Sequence, residues 1–136
     1  MATLRNIFLK PPSKIFKPLP ILVVYLYGSQ IIGTKNKESD YDLAILVKNK
    51  NEIQYRNLLS KLIAIFKYPE KLHLNIVDLN QTSPLLLYQI IKKGQLIYEK
   101  KPGIHISIES LILRLYFDDQ YRNAIYYQKL KNKYAA

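Results

Sequence analysis

The sequence has no cysteine and no tryptophan, and its acidic residues are outnumbered two to one by basic ones, 10 against 21. Without thiols, neither a disulfide framework nor a thiolate metal site can form, and a reducing compartment is the natural expectation. No apolar run approaches the roughly 20 residues needed to cross a bilayer; the longest candidate, residues 19–27, is far too short. Residues 1–10 lack the apolar core and small-residue cleavage site of a signal peptide, so a cytoplasmic protein with no membrane contact is expected. There are no internal repeats. Neither His73 nor His105 stands at a metal-ligand spacing from another candidate.

What the chain does have is 136 residues, enough for one domain with its own core, and a 49 % apolar share in which tyrosine supplies most of the rings. The net charge of +11 would attract a polyanion. The charge is mostly scattered lysine, however, with no arginine-rich stripe among aromatics. Direct nucleic-acid binding is therefore the less favoured reading.

Four prolines, Pro11, Pro12, Pro18 and Pro20, exclude a regular helix early on and predict an extended arm over residues 1–20, ahead of a domain over 21–136. The β-branched run 21–27 reads as a buried strand ended by Gly28. A short helical turn and loop over 30–39, a second strand over 41–47 and a helix from 52 to about 68, capped by Asn51, come next. A third strand over 72–79, a helix over 84–93 begun by Ser83-Pro84 and closed by Gly94, and a fourth strand over 95–99 follow. After the break at Lys101-Pro102-Gly103, one long helix or two run from about 106 to 133. The fold class is α/β, a small mixed sheet of about four strands flanked by helices.

Chemistry concentrates at Asp40-Tyr41-Asp42. Alternate residues of a strand share a face, so Asp40 and Asp42 point the same way, and two carboxylates that close require a cation, with oxygen ligands favouring a hard ion such as Mg²⁺. Ten residues separate Asp40 from Gly28-Ser29, where glycine admits a close backbone approach and the serine hydroxyl and amide suit a phosphate oxygen. If the first two strands are antiparallel, both motifs lie at one sheet edge. Were the third strand antiparallel to the second, Asp78 would join them.

Apolar strand, Gly28-Ser29, ten residues, Asp40-Tyr41-Asp42 and a third strand ending in Val77-Asp78-Leu79 together resemble the nucleotidyltransferase superfamily of the DNA polymerase beta type. Within it, the small size and the tail of Arg114, Tyr116, Phe117, Asp118 and Asp119 on a terminal helix resemble the minimal nucleotidyltransferase (MNT) antitoxins of HEPN/MNT toxin-antitoxin pairs. The resemblance implies a polymerase beta-like fold and transfer of AMP from ATP to a tyrosine hydroxyl of a HEPN ribonuclease toxin, with which the antitoxin would form a hetero-oligomer. It implies two Mg²⁺ ions on Asp40 and Asp42 with Asp78 completing the site or taking the hydroxyl proton, and phosphates held by Gly28 and Ser29. Relatives commonly have Ala-Arg-Gly where this chain has Ile31-Ile32-Gly33; with Ile32 in the arginine's place, Lys35 or Lys37 would supply only a point charge. Two alternatives are an MNT-like module that blocks its toxin by occlusion, and a small-molecule nucleotidyltransferase of the aminoglycoside type. The apolar, tyrosine-rich final helix would offer a docking face.

Overall fold

A computed structural model describes residues 7–27 and 41–134. Its centre is a sheet in the order β3-β2-β1-β4, with β1 Val23–Tyr27, β2 Tyr41–Val47, β3 Leu72–Asp78 and β4 Gln95–Glu99. The helices are α1 Ser13–Phe16, α2 Tyr55–Ile65, α3 Pro84–Lys93 and α4 Ile104–Tyr134. Both faces of the sheet are covered, which is why β1 and β2 read as almost unbroken apolar runs.

One face carries Val24, Leu26, Leu43 and Ile45 against Phe16, Leu58 and Leu62 from α1 and α2. The other carries Val23, Tyr25, Ala44 and Leu46 against Leu87 and Ile90 of α3 and Ile108 and Ile112 of α4. Strand alternation thus sorts one sequence into two cores.

β1 and β2 are antiparallel, the condition on which the two motifs share a sheet edge, with Tyr27 opposite Asp42. β3 does not follow the antiparallel expectation: it runs parallel to β2, pairing Tyr41 with Leu72 and Val47 with Asp78. The reason is α2, because a helix between two neighbouring strands carries the chain back along the sheet and lets the second strand start where the first began. β4 is antiparallel to β1, so the starts of β2, β3 and β4 meet the end of β1 at one sheet edge.

The proline-rich lead-in is not simply extended. Pro12 opens the single turn of α1, a position that needs no N–H, and Phe16 is fully buried against the Tyr98 ring. α2 is shorter than its apolar periodicity suggests, because Phe66 leaves the helix to form a bridge with Phe8: Leu9 N donates to Ile65 O and Lys67 N to Ile7 O. At its start, the Asn49 side chain caps a 3-10 turn, Lys50–Glu52, and α2 follows at Tyr55.

α3 has the expected bounds, with Ser83 Oγ accepting from Leu86 N at 3.3 Å. Gly94 closes it for a steric reason, since a Cβ there would stand 2.6 Å from Ile90 O and 3.0 Å from Tyr25 Cβ. Gly103, at φ +84°, makes the turn into α4, which is one unbroken helix of 31 residues. No helix among the described residues is long and apolar enough to cross a membrane.

Glu99 anchors the start of α4. Its carboxylate accepts from Gly103 N at 2.9 Å and His105 N at 3.3 Å and also meets His105 Nδ1, giving that histidine a structural place. The Gly103 amide, then the histidine, hold the carboxyl below its ordinary value. A lowered pKa adds stability that is complete above the ordinary value of 4.5 and disappears as pH falls through the lowered value. Urea midpoints of wild type and Glu99→Gln should therefore differ at pH 7 and converge in acid, with the wild type the more stable at pH 7.

Candidate functional site

The edge where β1 ends and β2 begins is where the candidate chemistry gathers. Antiparallel pairing sets Asp42 opposite Tyr27, the last described residue before Gly28-Ser29. Gly28, Ser29, Lys35, Lys37 and Asp40 lie outside the described residues. Asp42 is the one predicted site residue that the structure places at this edge.

Asp78 is elsewhere. Parallel pairing puts it level with Val47, five positions along β2 from Asp42, or roughly 16 Å at the usual strand rise. Strand parity also sets it on the opposite face, in line with Leu72, Leu74 and Ile76. The expected meeting of three carboxylates thus does not occur, and Asp78 is withdrawn as metal ligand and proton acceptor.

Its buried carboxylate has structural work instead: Oδ1 accepts from Asn80 N at 2.8 Å and Oδ2 from Lys50 N at 3.2 Å. With Asn80 Nδ2 donating to Lys48 O, the turn after β3 is tied to the turn after β2. A buried carboxylate satisfied by two backbone amides is a strong fold contact.

The parallel register brings different side chains to Asp42. His73 pairs with Asp42 and Asn75 with Ala44, so both stand on the Asp42 face. Asn75 Nδ2 donates to Tyr27 Oη at 3.1 Å, a bridge from β3 to β1 over the intervening β2. Ala44, small and fully buried, is level with Asn75 beneath that span. Burial raises the Tyr27 pKa first, and the Asp42 charge raises it further, so the phenol stays neutral and the carboxylate is near enough to be felt.

Sequence reasoning missed Tyr27 and Asn75 as members of this edge and set His73 aside. The available signal was the helix between β2 and β3, which implies parallel strands; the register itself comes from the structure.

Lys92 and Lys93 end α3 just before β4 starts, toward the same edge, and Lys92 Nζ lies 5.6 Å from the Tyr88 ring. A groove of about 480 Å³ lined by Phe8 to Pro12, Leu96 and Ile97 contains neither carboxylate nor histidine and offers this chemistry nothing. No group of three or more His, Cys, Asp or Glu residues among the described residues could hold a metal ion.

Asp78→Ala should lower stability by about 1–3 kcal/mol, from the amides it leaves unpaired, in denaturant unfolding. In a double-mutant cycle, Asn75→Ala and Tyr27→Phe should show positive coupling of about 0.5–1.5 kcal/mol, and independent effects would contradict the bridge.

The sequence pattern of the family "Polymerase beta, Nucleotidyltransferase" matches residues 13–103. No protein of curated function matches the chain significantly. Among solved structures, a toxin-antitoxin crystal structure with AMP-PNP is similar at a TM-score of 0.59 and 20 % identity, over 86 % of this chain and 93 % of that one. A tri-AMPylated Shewanella oneidensis HEPN toxin in complex with MNT antitoxin is similar at 0.58 and 19 %, over 86 % and 90 %. A further Shewanella oneidensis crystal structure is similar at 0.57 and 16 %, over 94 % and 93 %. These likenesses establish the fold, and with the family pattern spanning most of the chain, this protein belongs to the polymerase beta nucleotidyltransferase family.

Proposed function

We propose that the chain is an antitoxin that transfers AMP from ATP to a tyrosine hydroxyl of a HEPN-type toxin. The observation that carries the reading is the Tyr27–Asp42 pairing, which sets the strand leading into Gly28-Ser29 beside the strand that carries Asp42. Family membership supplies the reaction class. The structural neighbours, complexes of MNT antitoxin with HEPN toxin, one with the toxin tri-AMPylated and one toxin-antitoxin with an ATP analogue, supply the partner and the nucleotide.

In this reading the acceptor oxygen attacks the α-phosphorus, the bond from that phosphorus to the β-bridging oxygen breaks, and pyrophosphate leaves. The hydroxyl proton passes to water or to the carboxylate pair. Asp40 and Asp42 would hold Mg²⁺, which, when bound, offsets charge at the phosphates and acidifies the acceptor hydroxyl. Gly28 and Ser29 would bind the β and γ phosphates through backbone and hydroxyl, with Lys35 and Lys37 as point charges. Lys92 and Lys93 add positive charge toward the same edge. Tyr27, held by Asn75, fixes the end of the strand that precedes Gly28-Ser29.

A second reading, silencing of the toxin by binding alone, is favoured by a specific feature: Asp42 is flanked on β3 by His73 and Asn75 and not by a further carboxylate. Ile32, in place of the arginine common among relatives, points the same way.

Mixing the protein with Mg²⁺, α-labelled ATP and the product of its neighbouring gene should put label on that partner. Asp40→Asn with Asp42→Asn should lower labelling at least about 100-fold, the scale of losing transition-state charge stabilisation, and leave the complex intact. A tight complex that never takes up label would favour the occlusion reading; an active double variant would remove the metal assignment.

A further inference from the structure

Helix α4 is far longer than its packing requires. At 1.5 Å per residue its 31 residues extend about 46 Å, yet Ile108 and Ile112 alone among them are buried. Among the described residues, Tyr116, stacked on Tyr88 of α3 at 4.0 Å, makes the helix's last ring contact with another element, and none from Phe117 to Tyr134 is buried. A helical half that gains nothing from tertiary packing is marginal in water, and one rich in exposed rings is unusual unless something covers it.

The exposed rings are ordered. Phe117, Tyr121 and Ile125 follow one another at four-residue steps and form one stripe, with Phe117 62 % and Tyr121 69 % exposed. Nine residues from Ile108 to Phe117 turn a helix by about 900°, so the stripe points away from the side that packs on the sheet. Among the described residues, none buries it. Arg122, Lys129 and Lys133, spaced by seven and four, make the adjoining stripe, which Asp118 opens one turn before Arg122, and residues 120–134 contain no Asp or Glu. An apolar aromatic stripe flanked by cations fits a groove whose floor is apolar and whose rim is acidic, the helix-in-groove mode of recognition.

We propose that the Phe117–Tyr121–Ile125 stripe, with Arg122, Lys129 and Lys133 beside it, is the surface by which this chain grips the HEPN-type partner. The partner accordingly presents an apolar groove rimmed by carboxylates. A second copy of this chain fits poorly, because each carries a net charge of +11 and the same cationic stripe. The inference rests on the toxin partner of the preceding section, but not on AMP transfer.

Calorimetric titration of the full-length protein with the partner tests it, using Phe117→Ser/Tyr121→Ser/Ile125→Ser and Arg122→Glu/Lys129→Glu/Lys133→Glu triple variants. Both should raise Kd at least 100-fold while circular dichroism and melting of the free chain stay near wild type, and wild-type affinity should fall as salt is raised from 0.1 to 0.5 M. Wild-type affinity in the aromatic variant overturns the docking surface, as does a helix shown to close a homodimer. So does a basic-stripe variant that loses binding to a single-stranded RNA probe while holding the partner unchanged. If the partner binds unlabelled and the variants abolish binding, only the transferase reading fails; if it is labelled and bound equally by all variants, only the docking surface fails. Failure of the wild type to bind it removes both.

Discussion

Everything at the candidate site depends on the antiparallel hydrogen bonding of β1 with β2. That ladder is a local geometric constraint: with Tyr27 opposite Asp42, the end of one strand and the start of the next must share a sheet edge. It brings the strand that precedes Gly28-Ser29 against the strand that carries the carboxylate, and the flanking apolar residues hold the register. A slip by one residue would move Leu43, Ile45 and Val47 out of the core they share with α1 and α2 and onto the face that Ala44 and Leu46 fill, undoing the packing on both sides of the sheet.

The second constraint is the helix crossover from β2 to β3. By returning the chain to the start of the sheet, α2 aligns His73 and Asn75 with the Asp42 edge and moves Asp78 to the other end. Two polar groups on β3 thereby acquire different work. Asn75 braces Tyr27 across the sheet, and Asp78 locks the turns that leave β2 and β3. The helices divide similarly: α1 and α2 complete one core, α3 and the first turns of α4 complete the other, and the rest of α4 is left for an external surface.

Much of this was legible from residue order. The β-branched runs and the Ser83-Pro84 start carry strong local signals, and β2, α3 and β4 match the bounds read from them. α2 ended early because Phe66 bonds through its strand-like backbone to Phe8, a contact between residues 58 positions apart that no helical periodicity encodes. The single turn in the proline-rich lead-in was missed because proline forbids helix interiors but welcomes helix starts. At the site, the placement of Asp42 followed from the hairpin-like pairing, whereas the placement of Asp78 depended on strand direction, and there the antiparallel assumption failed.

The sequence by itself determined the family, the alternation that buries both sheet faces and the proximity of Asp42 to the strand entering Gly28-Ser29, since each depends on neighbours or on a short connection. Only the tertiary structure decided which carboxylate is structural, which amide reaches Tyr27, and which face of α4 stays uncovered. Those outcomes depend on the direction and register of elements far apart in the chain, which side-chain periodicity leaves undetermined because it is the same whichever way a strand runs.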